Sequence, residues 1–216
     1  YNFARNGLYH STKKDGWIGR EKGQAFFAQF QLSGGKSRKS VRGVDPDKMK
    51  IPPYYADTAL IRQDWRTYLG SWVRTDEAVA KILIQLESEG ELENTYVFLW
   101  TDHGISHIRG KQFLYDEGIQ VPFIVRFPHK LKAGTVREDQ VTQIDIAVTS
   151  LDLAGIEVPS YMQGRSIFAD DYKAQDRIYS GRDRCDETVD FSRCVRTSKF
   201  KYIRNFLHDV GPLQPN

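Results

Sequence analysis

The stretch from Tyr96 to Phe127, YVFLWTDHGISHIRGKQFLYDEGIQVPFIVRF, constrains this chain more than any other. Tyr96 to Trp100 is a short run of β-prone and aromatic residues, which predicts a buried strand. It stops abruptly at Thr101-Asp102-His103-Gly104. Two adjacent potential metal ligands followed by glycine suit the carboxyl end of a strand opening onto a site, where open α/β sheets place their ligands. His107, Arg109 and Lys111 follow at once, and Val121 to Phe127 reads as the next strand.

The chemistry of these residues points to an oxyanion and its counter-cation. Asp102 offers a hard carboxylate oxygen and His103 an imidazole nitrogen to a divalent cation. His107 and Lys111 offer donors and positive charge to phosphate or sulfate oxygens. The same residues also suit an N-capping Asp at a strand-to-helix turn with its basic neighbours solvated. Asp-His-Gly alone does not decide between the two.

Taken together, TDHG, HIRGK and YDEG followed by VPFIVRFP resemble the distal half of the sulfatase catalytic domain, in the alkaline-phosphatase-like superfamily. The resemblance implies that Asp102 and His103 are metal ligands, with Ca2+ the usual cation and Mn2+ or Zn2+ as options. It implies that Lys111 contacts the sulfate, with His107 as a second anion contact. The run AFFAQFQL, Ala25 to Leu32, is predicted as a strand, and the family places a His or Lys near the sulfate after such a strand. No His follows it here, so Lys36 of the SGGKSRKS loop is the candidate, with Lys39 behind it. By composition alone that loop reads as flexible and basic.

Along the rest of the chain, residues 1–24 read as helical or irregular. Val44 to Tyr55, carrying Asp-Pro and Pro-Pro, reads as an extended surface loop. Asp57 is positioned to cap a helix that runs to about Glu89 and stops at Gly90, with Leu60, Ile61, Trp65, Tyr68 and Trp72 at helical spacing. Val141 to Gly155 reads as a second helix; by resemblance, Asp145 near its start is structural rather than a ligand. From Asp176 onward three short β-prone runs are expected, the last two as a hairpin around Thr197-Ser198-Lys199. VRTSKFKYIRNF resembles the small antiparallel sheet that ends sulfatases. Between the first two runs, GRDRCDETVDFSR reads as a charge-dense loop. It is either solvated or a pocket rim, with Arg182 and Arg184 binding the alcohol part of a substrate.

The expected fold is therefore α/β: part of an alkaline-phosphatase-like mixed sheet flanked by helices over 1–170, and a small C-terminal antiparallel sheet over 171–216. With 31 basic against 28 acidic residues, the net charge of +3 gives no case for nucleic acid or an anionic membrane as partner. No apolar run approaches a membrane span. Cys185 and Cys194 read as free thiols in preference to a small disulfide loop. The chain opens without Met and is read as a fragment or processed product.

Sulfatases use an aldehyde nucleophile, formylglycine, made from Cys or Ser in a C/S-x-P-x-R motif. No such motif occurs in the 216 residues, and nothing resembles the family's first metal-binding Asp-Asp pair. The nucleophile is thus expected in an N-terminal half absent from this sequence, and the 216 residues alone are expected to be inactive. The implied partner is a sulfated small molecule or glycan, and the implied compartment is periplasmic, secreted or lysosomal. Two other readings stand beside this one: a metal-dependent phosphodiesterase or phosphonate hydrolase of the same superfamily, and a non-catalytic binder of sulfated glycans. The Asp-His pair leans toward the first of these, because imidazole suits manganese or zinc better than calcium.

Overall fold

A computed structural model describes residues 17–36, 38, 39, 41–185 and 188–211, apart from the side chains of Lys36 and Cys185. The chain packs as two units, residues 1–92 and 93–216. The segment expected to be helical or irregular lies outside the described residues up to position 16, and from Trp17 to Gln24 it is a series of turns.

The first unit is built on one long helix, α1 (Ala59–Ser88). Its N-terminus is capped by Thr58, whose side chain accepts from the Ile61 amide at 3.3 Å. The cap is therefore Thr58 rather than the expected Asp57, which pairs with Arg62 at 2.5 Å. Gly90 ends the helix with φ +74°, a conformation that spares only glycine a Cβ clash. Tyr55, Trp65, Tyr68 and Trp72 make an edge-to-face series, with centroids 5.6, 5.8 and 6.3 Å apart. The expected strand over Ala25–Leu32 does not form. Among the described residues this unit has no β-strand to pair with it, and β-propensity without a partner leaves the backbone unsatisfied. Its aromatics pack on Trp17 instead: Phe26 stacks at 5.0 Å and Phe30 meets the ring edge at 6.0 Å.

The second unit begins with β1 (Val97–Trp100), followed by the short helix α2 (Asp116–Ile119) and β2 (Phe123–Arg126). The two strands pair antiparallel, Val97 opposite Arg126 and Trp100 opposite Phe123. β1 is half-buried along its length. Helix α3 (Gln143–Leu153) comes next and ends before Gly155. Three strands complete the unit: β3 (Arg177–Cys185), β4 (Thr188–Thr197) and β5 (Lys201–Asn205), in the order β3-β4-β5 and all antiparallel. The fold is α/β with this small antiparallel sheet, as expected, and no described helix is long and apolar enough to cross a membrane.

GRDRCDETVDFSR is not a loop. Its described residues are the two arms of the β3–β4 hairpin, with Arg182 opposite Ser192 and Cys185 opposite Thr188, and a register shift between Arg182 and Arg184. Its polarity is inverted relative to an ordinary half-buried sheet. Arg182, Thr188, Ser192 and Cys194 are buried, while Val189, Phe191 and Arg193 face outward. Cys194 is a free thiol, and burial pushes its pKa up.

Candidate functional site

β1 ends at Trp100 and delivers Thr101–Gly104 to a loop that folds back on itself as far as Gly118. Backbone bonds define that loop. Gly104 donates to the Gly118 carbonyl at 2.9 Å, Ile105 to Glu117 at 3.1 Å, and Lys111 to Ile105 at 2.6 Å. The approach is so close that a Cβ on Gly104 would lie 1.8 Å from the Glu117 carbonyl oxygen, and one on Gly118 2.2 Å from that of Phe113. The glycines of TDHG and YDEG are therefore two sides of one contact, which explains why the motifs occur together.

The His103 ring has a defined tautomer. Its Nδ1 lies 2.7 Å from the Gly104 carbonyl oxygen, which can only accept, so Nδ1 carries the proton. In the neutral ring Nε2 then presents a lone pair. That atom is buried, has no hydrogen-bond partner, and lies 3.7 Å from Asp102 Oδ1. Two electron-rich atoms facing each other across 3.7 Å call for a positive charge between or beside them. The buried Thr101 hydroxyl also lacks a hydrogen-bond partner. This donor set fits a divalent cation. Among the described residues no group of three or more His, Cys, Asp or Glu could hold a metal ion.

His107 is buried in the same loop, and its carbonyl accepts from the Gly110 amide at 2.9 Å. Lys111 is half-buried. On either side of it, Arg109 at φ 70° and Gln112 at φ 80° hold left-handed conformations that cost a non-glycine residue about 1–3 kcal/mol each. The Arg109 guanidinium lies 4.2 Å from the Tyr115 ring centroid. Asp102, His103, His107 and Lys111 are thus carried by a single folded loop. Lys36 lies in the first unit, at the end of the 3-10 turn Gly34–Lys36, which packs against Tyr68.

The two arginines assigned to substrate differ from each other. Arg182 is buried, pairs with Asp190 at 3.2 Å, and lies 5.0 Å from the Phe113 ring centroid. With Phe113, Tyr115 and Ser192 it lines a cavity of about 120 Å³. Arg184 is exposed beyond the register shift.

Two residues of this region carry no sequence signal for their role. Gln143, the first residue of α3, donates its side-chain amide to the carbonyls of Thr101 at 2.6 Å and Asp102 at 3.3 Å. Asp116 joins the loop to the small sheet, pairing with Lys201 at 2.5 Å and Arg196 at 3.1 Å, while Lys201 also reaches the Leu114 carbonyl at 3.0 Å. Partial burial raises the Asp116 pKa, but the hydrogen bond and charge of Lys201 and the charge of Arg196 outweigh it and hold the carboxyl below the usual carboxylate range. Only its place in YDEG, two residues before a loop glycine, could have marked Asp116. Gln143 meets its partners across some forty positions, beyond the reach of any local pattern.

A family-wide sequence profile described as Sulfatase matches residues 12–156, and one described as N-sulphoglucosamine sulphohydrolase, C-terminal, matches residues 103–211. An ulvan-active sulfatase of Formosa agariphila is 40% identical over 171 residues, covering 78% of this chain and 28% of that protein. An N-acetylglucosamine-6-O-sulfatase of Bacteroides thetaiotaomicron is 37% identical over 110 residues, 49% of this chain and 20% of that protein. A solved structure of a protein in complex with its substrate D-glucosamine-2-N,6-O-disulfate superposes with a TM-score of 0.58 at 30% identity, covering 73% of this chain and 35% of that one. The chain spans from a fifth to about a third of the length of these proteins. With a profile match over more than half its residues and the shared fold behind it, the chain belongs to the sulfatase family.

Proposed function

We propose that the full-length protein containing this chain is a sulfuric ester hydrolase acting on a sulfated carbohydrate. The observation that carries this reading is the Asp102–His103 turn, where a buried imidazole lone pair and a carboxylate face each other with no hydrogen bond between them. Asp102 and His103 would hold a divalent cation, calcium by family habit, with manganese or zinc as options. Such a cation supplies positive charge that polarises a sulfate oxygen.

The remaining roles fall to this chain's own side chains. Lys111, held between two left-handed residues, donates to the sulfate, and His107 supports it from the same loop. Lys36, in the first unit, stays a candidate by family resemblance alone. Arg184 is exposed and takes the alcohol part of the ester, whereas Arg182 acts from within, bracing Phe113 and Asp190. The carbohydrate assignment rests on relatives named for glucosamine and ulvan sulfates. The formylglycine nucleophile has no candidate among the 216 residues, so these residues alone are expected to be inactive. A relative named as an extracellular sulfatase supports an exported setting.

The test is sulfate release by the purified full-length protein from a 6-O-sulfated and an N-sulfated glucosamine, beside the matching phosphate esters, with and without chelator. Release of sulfate that needs the cation and falls about 10²–10³-fold in Lys111→Ala is expected. Faster cleavage of the phosphate esters would move the protein to the phosphodiesterase class. Binding of the sulfated sugar without release would make it a lectin-like binder.

A further inference from the structure

We infer that Gln143 is a positioning residue that sets the aim of the Asp102 carboxylate and the His103 imidazole through the backbone. This rests on the cation-site reading above. Thr101 C=O belongs to the peptide plane entering Asp102, and Asp102 C=O to the plane leaving it. Peptide units are rigid, so fixing both planes fixes the direction of the Asp102 Cα–Cβ bond. Gln143 donates to both carbonyls, at 2.6 and 3.3 Å. Because both partners can only accept, the amide orientation is dictated by its neighbours, with Nε2 toward the turn.

The Asp102 side chain has little else to hold it. It is 85% exposed, and His103 Nε2 at 3.7 Å is beyond hydrogen-bond range. Downstream, the turn is fixed by the Gly104–Gly118 and Ile105–Glu117 bonds. Upstream, the β1–β2 pairing ends at Trp100, and from there Gln143 holds the Thr101 and Asp102 carbonyls. Gln143 is itself well fixed, because the start of α3 is locked by Asp145, which accepts from Thr142 N at 2.7 Å and Arg165 N at 2.8 Å. A carboxylate that is exposed, a carbonyl pair that orients it and a helix start that cannot shift form one mechanical chain. Outer partners of this kind ordinarily change metal affinity about 10–100-fold.

The experiment uses the full-length protein as wild type, Gln143→Glu, Gln143→Leu and, as reference, Asp102→Ala. Calcium and manganese affinities are measured by titration calorimetry, and melting temperatures are taken in chelator. Gln143→Glu keeps the shape and removes the donor, so it carries the test if Gln143→Leu folds poorly. The expected result is cation affinity about 10–100-fold weaker in the Gln143 variants, with melting in chelator unchanged. Affinity within twofold of wild type, while Asp102→Ala loses it, would overturn the inference and leave the site reading intact. A melting loss in chelator matching the loss with cation would also overturn it, by making Gln143 merely structural. Equal cation affinity in wild type and Asp102→Ala would remove the site and the inference together.

Discussion

Asp145 offers a sharp test of how the site is supported. It is 1% exposed and accepts four hydrogen bonds: from Thr142 N at 2.7 Å, Thr142 Oγ1 at 2.8 Å, Arg165 N at 2.8 Å and Gln175 Nε2 at 3.4 Å. Replacing it with Ala strands two backbone donors in the interior, at roughly 1–3 kcal/mol each. It also removes half of the capping box of α3, an overlapping loss of about 1 kcal/mol. The expected destabilisation of Asp145→Ala is about 3–5 kcal/mol. Asp145→Asn keeps one acceptor oxygen but turns an NH2 toward a donor, so about 1–3 kcal/mol is expected. Urea unfolding followed by tryptophan fluorescence, with chelator present, reads both values; Trp100 sits one residue from the turn. A carboxylate that acted as a ligand would behave in the opposite way. Asp145→Ala would then unfold like wild type in chelator and lose only the stabilisation by cation, and that outcome would refute the structural assignment.

Gly104→Ala places a methyl group 1.8 Å from the Glu117 carbonyl, so the loop must open and lose its Gly104–Gly118 and Ile105–Glu117 bonds. About 2–4 kcal/mol is expected, with faster hydrogen exchange at both amides; unchanged exchange would contradict the close approach. Asp116 ionises more readily when folded than when unfolded, so its contribution is complete above its unfolded pKa and is lost as pH falls through the lower folded value. The side chain is 46% exposed, so solvent screening limits this to about 0.5–1 kcal/mol. Asp116→Asn should correspondingly flatten the acid limb of a stability–pH curve, and an acid limb of unaltered slope would show that the pair is inert. Thr58→Ala should cost the first unit about 1 kcal/mol in urea unfolding, because it removes the acceptor of the Ile61 amide. Asp57→Ala leaves that cap intact; equal midpoints for Thr58→Ala and wild type would return the cap to another group.

The parts of the chain legible in its sequence are those fixed by local chemistry. The apolar run ending at Trp100, the glycines of the central motifs and the helical spacing after Thr58 each act through near neighbours, and the corresponding elements form close to where they were expected. Two failures share a different cause. AFFAQFQL has strand composition, but a strand exists only with a partner, and that is a property of the surroundings. GRDRCDETVDFSR hides its strands because the face turned inward carries Arg182, Thr188 and Ser192, and the outward face carries Val189 and Phe191. Alternation is present with its sign reversed, and a rule that looks for apolar residues inside passes over it. Arg182 is tolerated there because Asp190 neutralises it and the Phe113 ring lies against its guanidinium.

The loop from Thr101 to Gly118 is strained at Arg109 and Gln112, and strain has to be held from outside. Arg109 and Gln112 at positive φ would relax in a free peptide, and Lys111 between them would lose its direction. Two supports act on the loop within its own unit. At one end Gln143 and the locked start of α3 grip the carbonyls before His103. At the other, Lys201 of β5 holds both Asp116 and the Leu114 carbonyl, with Arg196 of β4 on the same carboxylate. A strand pair, a helix start and a small sheet thus converge on the loop from Thr101 to Gly118. The C-terminal sheet is thus part of what holds the loop in its shape. Removing β5 should soften the Lys111 loop first: amide hydrogen exchange is expected to speed up at Ile105 and Lys111 before it does in the β1–β2 pair, and simultaneous loss would refute the support.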